Sequence, residues 1–180
     1  MSEAVIAAVA GLRATRAFDP EGPDEVTVRR VLEAARWTGS ARNRQPWRLV
    51  VARDVGVRAR FAALGAYAGP LVAAPVAVLL AGDLRTGGAD LDFDLGRLAQ
   101  GLMLAARAVG LGSCPVTFFP DANVERARVL AGLDEGWRIR TAIALGRPAA
   151  APPATGRRVI PSGRRPLDEI VVDLDRAAGV

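Results

Sequence analysis

The spacing of apolar residues predicts two amphipathic helices at the start of the chain. The first covers Ser2 to Gly11 and carries Val5, Ile6, Val9 and Leu12 along one side. A short extended piece follows, and Asp24 is the type of residue that starts a helix. The second helix then has an apolar face opposite a face of arginine and glutamate, and it stops near Gly39. The members of that apolar face are Val28, Val31, Leu32 and Ala35.

The rest of the chain alternates between strands and helices. The segments "WRLVVARD", "PVAVLLAG", "CPVT" and "WRIRTAIALG" are typical of strands, with one more strand-like patch at Ile170 to Val172. Helices are predicted around "VRARFAALG", "LDFDLGRLAQGLMLAARAVG" and "ANVERARVLAGL". The segment "AAAPPATGRR" is predicted to be an extended surface run. This order predicts a sheet with helices packed on it, in a single domain over residues 1–180.

The amino-acid composition excludes several kinds of catalytic site. The 180 residues include no histidine, which removes Ser-His-Asp and Cys-His catalysis and zinc sites built on imidazole. The single cysteine, Cys114, excludes an intramolecular disulfide and fits a reducing compartment, so we expect a cytoplasmic protein. With no histidine to act as its base, Cys114 is interpreted as a packed small hydrophobe rather than a nucleophile.

No membrane segment is expected. The amino terminus lacks the basic region of a signal peptide and reads as a helix. The longest apolar run, from Ala68 to Gly82, is interrupted by Pro70 and Pro75 and is too short to span a bilayer. We therefore expect a soluble protein without membrane contact.

The basic residues are all arginine, 24 of them against 19 acids, with a formal net charge of +5. Nucleic-acid or membrane binding is one interpretation of that excess. The interpretation we favour is a solvated surface in which arginine has replaced lysine through coding bias. Nucleic-acid binding ranks last among the functions considered, because aromatic residues are not interleaved with the arginines.

Four aspartates, Asp83, Asp90, Asp92 and Asp94, lie close together and invite a calcium or magnesium hypothesis. Their spacing does not match an EF-hand loop, and the last three lie where a helix amino terminus favours negative charge. We therefore predict no metal site. In the long helix that follows, Gly96 and Gly101 indicate a close approach by another helix or by a flat ligand.

A polar loop and an arginine pair are the clearest candidates for a binding site. A linker from helix to strand needs only turn residues, so Asn43, Arg44 and Gln45 immediately before Pro46 indicate that something specific lies against this loop. Arg13 and Arg16 are spaced to direct two guanidinium groups at one anion, or to stabilise the dipole of the first helix. The "GLGSCP" segment fails as a dinucleotide fingerprint because it follows a helix, and Gly110 is favoured as a helix end.

Taken in order, these segments resemble the nitroreductase family of FMN-dependent oxidoreductases over nearly the whole chain. Four matches carry the resemblance: "RATRAF", "GSARNRQPWRLVV", "LAQGLMLAARAVGLGSCP", and "ALGRP" followed by "RRPLDEIV". The resemblance implies an α+β, nitroreductase-like fold with a central mixed, mainly antiparallel sheet flanked by helices. It also implies an intertwined homodimer with C-terminal tail exchange and two FMN sites at the subunit interface.

The same resemblance implies which residues bind FMN. Arg13 and Arg16 would take the phosphate and the pyrimidine edge with Ala14 between them, Ser40 and Asn43 would contact the cofactor from the polar loop, and Arg164 would close the phosphate site. The strand residues Pro115, Val116 and Thr117 would run along the ring, with the backbone N–H near Thr117 directed at N5. FMN would carry the chemistry, tuned by Arg16 and by the Thr117 backbone.

The implied activity passes electrons from NADH or NADPH through FMN to a nitroaromatic, quinone or flavin-type acceptor by a ping-pong mechanism. The cofactor carries the hydride, so the absent histidine is no obstacle. The alternative is a flavin-binding module without nicotinamide turnover. The physiological acceptor and the choice among NADH, NADPH and a deazaflavin donor stay open.

Three departures from the family pattern bear on the site. Leu12 and Ala14 replace a second arginine and a serine, which implies a looser hold on the phosphate. Thr117 and Phe118 replace a glycine-rich stretch and narrow the space above the ring. The short segment between Gly82 and Asp94 implies an open, permissive cleft.

Overall fold

A computed structural model describes residues 2–150 and 163–174, and the structural statements below concern these residues. The helices are α1 (Ser2–Gly11), α2 (Glu25–Ala35), α3 (Val55–Ala62), α4 (Pro70–Ala73), α5 (Leu91–Ala108) and α6 (Asp121–Leu130). The strands are β1 (Trp47–Ala52), β2 (Val76–Asp83), β3 (Gly112–Thr117) and β4 (Trp137–Gly146). Short 3₁₀ turns occur at Ala41–Asn43, Gly88–Asp90 and Leu167–Glu169.

The four strands form one sheet in the order β1-β2-β4-β3, and each neighbouring pair is antiparallel. A parallel bridge between Ala14 and Ser113 adds a short segment beside β3. The α+β fold with a mixed, mainly antiparallel sheet is therefore confirmed. Strand β2 is central and buried on both faces, which explains why its sequence is a continuous apolar run.

Helices cover both faces of the sheet. Alternate strand residues such as Leu80 and Ile143 pack with the buried sides of α2 and α5. The intervening residues, such as Leu79 and Ile139, face the other layer, which contains Phe61 of α3. Successive side chains of a strand point to opposite faces, so one buried strand supplies both cores.

Local signals set several element boundaries. Asp24 caps α2 by accepting the Thr27 N–H at 2.6 Å, and Asp54 caps α3 by accepting the Val57 N–H at 2.8 Å. At the end of α5 the chain turns at Gly110, whose φ of 78° lies in the left-handed region. The predicted helix start at Asp24 and helix end at Gly110 are thus confirmed.

Other expectations need correction. Val5, Ile6 and Val9 of α1 are exposed, so most of the apolar side of this helix is not packed against the described residues. The strand predicted at Ile170 to Val172 is wrong, because the chain turns there after a 3₁₀ turn and pairs with no strand of the described residues. Most of the predicted extended run "AAAPPATGRR" lies outside the described residues. Within the described ranges, no helix is long and apolar enough to cross a bilayer.

Candidate functional site

The polar loop has a strained backbone. Arg42, Asn43 and Gln45 have φ angles of 54°, 53° and 49°, a region that residues with a side chain seldom adopt. The loop folds around Ser40, whose hydroxyl accepts the Gln45 N–H at 2.8 Å and whose carbonyl accepts the Asn43 N–H at 2.9 Å. Backbone strain of this kind persists only where surrounding contacts hold it, and it concentrates at functional sites.

Asp94 ties this loop to the first turn of α5. Its carboxylate is buried and accepts the Ala41 N–H at 3.0 Å. Arg97, one turn along the helix, lies 4.0 Å from the other carboxylate oxygen. On the far side of the loop, Arg44 donates to the carbonyl of Gly87 at 3.1 Å. The sequence indicated Asp94 only as a charge favourable to a helix start, so its positioning role was missed.

The arginine segment lies along the outer edge of β3. The Thr15 N–H donates to the Ser113 carbonyl at 2.8 Å, which holds Ala14 beside the strand. Arg13 turns back onto α1 and donates to the carbonyls of Ala10 and Leu12 at 2.7 and 2.8 Å. These hydrogen bonds agree with the alternative interpretation of Arg13, in which it stabilises the end of the first helix.

Arg16 differs from Arg13. Its side chain is exposed, and it forms no ion pair with any residue in the described ranges. It lies close enough to Cys114 for its charge to act on the thiol. Arg16 therefore presents a free guanidinium beside β3.

The outer edge of β3 is covered beside Ser113, whose carbonyl accepts the Thr15 N–H, and is exposed at Pro115 and Thr117. The Phe118 N–H donates inward to the Arg140 carbonyl of β4 at 2.8 Å. Peptide groups alternate in direction along a strand, so those of Thr117 and Ser113 point away from β4, and Pro115 between them has no N–H. Beside this edge lies Gly65, where a Cβ would sit 2.7 Å from the Thr117 carbonyl. Pro115 and Thr117 are exposed, whereas Val116 is buried.

Cys114 is buried on β3, as the sequence predicted. Burial raises the pKa of its thiol, and the nearby charge of Arg16 offsets part of that rise. The thiolate is therefore disfavoured, which agrees with a packing role.

The polar loop and the arginine segment do not meet within one protomer. The loop is anchored at Asp94, whereas Gly11, next to the arginine segment, lies against the side chain of Arg107. These two positions on α5 are 13 residues apart, which is about 20 Å along a helix. Arg164 lies in the exposed segment 163–174 and donates to the Gly163 carbonyl at 2.9 Å. The polar loop and the arginine segment, the two halves of the predicted set of side chains, therefore lie at opposite ends of α5 in one protomer.

An open groove runs along α5 near the polar loop. It is lined by Trp37, Thr38 and Gly39 from the end of α2 and by α5 residues including Phe93 and Gly101. Trp37 is 76% exposed and Phe93 is 69% exposed. A Cβ at Gly101 would lie 3.1 Å from the Thr38 hydroxyl, whereas Gly96 faces open space. The close approach predicted at Gly101 is made by Thr38.

The four clustered aspartates have protein partners. Burial alone would raise the pKa of Asp83, but hydrogen bonds from Arg85 and Thr86 lower it below its usual value. Asp92 pairs with Arg138 and Asp94 holds the polar loop. In the described part of the chain, no group of three or more His, Cys, Asp or Glu side chains is arranged so that it could hold a metal ion.

Comparison with known proteins places the fold in a family. The family model described as "Nitroreductase family" matches residues 9–81 and 66–147. The chain belongs to the nitroreductase family. A relative from Thermus thermophilus, named NADH dehydrogenase, is 30% identical over 89% of this chain and 91% of that protein.

Solved structures agree with this membership. A Desulfovibrio desulfuricans protein, described as a nitroreductase and solved in complex with FMN, is 29% identical. It superposes with a TM-score of 0.78 over 94% of this chain and 95% of that one. A Parabacteroides distasonis protein reaches a TM-score of 0.82 over 94% and 98% of the two chains at 19% identity, which shows a shared fold.

Proposed function

We propose that this nitroreductase-family member is an FMN-dependent oxidoreductase that draws electrons from NADH or NADPH, with residues 1–180 as a single FMN-binding domain. The observation that carries the proposal is the outer edge of β3. The backbone N–H of Thr117 points outward there, and the Arg16 guanidinium lies beside Cys114 of the same strand, with no ion pair among the described residues. The FMN bound to the Desulfovibrio desulfuricans relative and the name of the Thermus thermophilus relative support it.

The residues present fit FMN. A flavin needs a donor for the ring nitrogen N5, positive charge near its pyrimidine edge and phosphate, and room for a flat ring. The Thr117 N–H and Arg16 meet the first two needs, and the exposed strand positions Pro115 and Thr117 leave room for the ring. Leu12 and Ala14 offer no side-chain donor, so the phosphate would be held mainly by Arg16 and Arg164, and by Arg13 once its guanidinium leaves the Ala10 and Leu12 carbonyls.

When bound, FMN would supply the hydride-transfer chemistry, which needs no histidine from the protein. The chain's residues orient the cofactor and set the charge around it. Arg16 would stabilise negative charge at the pyrimidine edge through the positive charge of its guanidinium. The Thr117 N–H would donate to the ring nitrogen, and Asn43 and Ser40 would contact the ring from the polar loop.

The distance between the two halves leads us to propose a homodimer with the site at the interface. Arg16 and Thr117 of one subunit would complete the site with Ser40 and Asn43 of the partner subunit. Exposed apolar side chains on α1, at Trp37 and at Phe93 supply surface for such an interface. The tail residues Ile170, Val172 and Leu174 are also exposed, which supports exchange of the C-terminal tails.

The catalytic cycle we propose is ping-pong, with NADH or NADPH leaving before a nitroaromatic, quinone or flavin-type acceptor enters. The short connection between β2 and α5, with its 3₁₀ turn at Gly88–Asp90, leaves the approach open and supports a broad choice of acceptors. The buried cysteine is consistent with a cytoplasmic location.

An absorbance titration tests the cofactor. We expect the protein to take up FMN at micromolar concentrations and its yellow colour to bleach on anaerobic addition of NADH or NADPH. Arg16→Gln should weaken FMN binding about tenfold, since it removes a charge-assisted contact, whereas Arg126→Gln on the outer helix α6 should not. Colour without bleaching would favour the flavin-binding module. Failure to bind FMN would refute the proposal, and salt-dependent DNA affinity in a colourless protein would favour the nucleic-acid alternative.

Subunit complementation tests the shared site. Arg16→Gln and Asn43→Ala dimers should each have low activity, because every site lacks one contact. After the two variants are mixed and allowed to exchange subunits, half of the dimers are mixed and each has one intact site. Activity should then rise to about a quarter of the wild-type value. No recovery in a mixture shown by native mass spectrometry to contain mixed dimers would refute the interface site.

A further inference from the structure

A second cavity, of about 250 Å³, lies between the first half of α5 and the start of β4. Its lining includes two arginines and one carboxylate, so its charge is positive. Helix α5 contributes Gly96, which leaves that wall open to solvent. The full lining is Asp92, Leu95, Gly96, Ala99, Arg138, Arg140 and Thr141.

Arg138 is incompletely satisfied. One of its terminal nitrogens pairs with the Asp92 carboxylate, yet its Nε is buried with no hydrogen-bond partner among the described residues. A buried charged donor without an acceptor is costly, so the few that occur call for an explanation. A negatively charged ligand explains this nitrogen, because its oxygen would accept the hydrogen bond and its charge would match that of the guanidinium.

Arg140 is presented by an irregularity in the sheet. Leu80 of β2 pairs with Thr141, but the next residue, Ala81, pairs with Ile139, so Arg140 is the extra residue of a bulge. Bulges redirect side chains and occur next to active sites. In the described part of the chain, Arg140 is exposed and has no ion pair and no side-chain hydrogen bond.

The cavity adjoins the edge where we place the flavin ring. Thr141, in its lining, is the register partner of Thr117. Paired residues on antiparallel strands lie about 5 Å apart between Cα atoms. A molecule that stacks on a ring at Thr117 can therefore extend a charged group into this cavity.

We propose that this cavity binds a phosphate group of a redox substrate, an inference that rests on the proposed function. A phosphate has enough acceptor oxygens to engage Arg138 and Arg140 together, whereas Asp92 occupies only part of one guanidinium. The phosphate belongs either to the nicotinamide dinucleotide donor or to a free flavin mononucleotide acceptor. Both molecules carry this group away from the ring that exchanges electrons.

A direct binding measurement tests the cavity apart from turnover. Calorimetry of the FMN-loaded protein with adenosine 2′,5′-bisphosphate should show about tenfold weaker binding for Arg140→Gln than for wild type. Asp92→Asn should change affinity in the opposite direction, severalfold tighter, because it removes the competing carboxylate. Arg126→Gln loses the same charge on α6 and should bind as wild type does. Unchanged affinity in both Arg140→Gln and Asp92→Asn would overturn the inference.

Steady-state kinetics identify the source of the phosphate. If Arg140→Gln raises the KM about tenfold for NADPH but not for NADH, the group bound in the cavity is the 2′-phosphate of NADPH. If it raises both KM values equally, the bound group is the pyrophosphate that both donors share. A rise confined to FMN as acceptor, with riboflavin unaffected, assigns the acceptor. No change in any of these KM values overturns the inference. Failure of the proposed function gives a different result, because the wild-type protein itself would then not take up FMN, or its bound FMN would not bleach.

Discussion

Replacement of Asp94 by alanine tests whether the polar loop is held in place by α5. The change removes the buried acceptor of the Ala41 N–H, 3.0 Å away, and leaves that N–H without a partner. It also removes a negative charge from the first turn of the helix and a 4.0 Å contact with Arg97. The loop would then have to keep its left-handed residues without this support.

The size of the effect follows from these contacts. A buried hydrogen bond to a charged group contributes about 1.5–3 kcal/mol to the free energy of unfolding. Negative charge at the helix start adds about 0.3–1 kcal/mol. The contact with Arg97 adds under about 0.5 kcal/mol, because that guanidinium is about half exposed. We therefore expect Asp94→Ala to lower the free energy of unfolding by about 2–4 kcal/mol.

Urea unfolding at a fixed protein concentration measures this loss, and an FMN titration measures its consequence at the site. Asp94→Asn keeps an acceptor oxygen and should lose about half as much stability. Asp90→Ala is the matched control: its exposed carboxylate also lies at the start of α5 and is 3.9 Å from Arg44, so its loss should cost about 1 kcal/mol or less. If Asp94→Ala unfolds at the same urea concentration as Asp90→Ala and binds FMN as wild type does, the loop is not held by Asp94.

Three further changes test other parts of the structure. Phe61→Ala should lower the unfolding free energy in urea by about 3–5 kcal/mol, because the ring is buried against Phe118, whereas exposed Phe119→Ala should cost under about 0.5 kcal/mol. Hydrogen bonding from the Thr27 backbone lowers the pKa of Asp24, so the stability difference between wild type and Asp24→Ala should persist above pH 3.8 and shrink as pH falls below it; a pH-independent difference would contradict this. Burial raises the pKa of Cys114, so iodoacetamide should modify native protein far more slowly than urea-unfolded protein, and equal rates would refute its burial.

Local features of the chain were predictable because their causes lie within a few residues. Asp24 caps α2 through an N–H three positions away, and Gly110 ends α5 through its own backbone freedom. The bounds of β4 follow from alternating apolar residues and then an apolar run, which lie between turn residues. The polar loop and the arginine segment were found as unusual runs of side chains, and the resemblance to a known family placed them in one site.

Features that depend on distant pairs were not predictable in this way. Asp94 and Ala41 are 53 residues apart, and nothing in either neighbourhood indicates their hydrogen bond. The bulge that presents Arg140 exists because the register of β4 against β2 shifts, and a register belongs to two strands. The exposure of Val5, Ile6 and Val9 contradicts their helical pattern for a similar reason, since burial depends on what packs against the helix.

The sequence by itself therefore determined the elements, the absence of histidine chemistry and the two segments that bear the candidate site. Periodicity, capping and residue chemistry are local properties, and one chain displays them in order. Only the tertiary structure decided that the two segments lie at opposite ends of α5, because their separation is fixed by the length and packing of a helix between them. That separation is why we propose that a second subunit completes a site built from both segments.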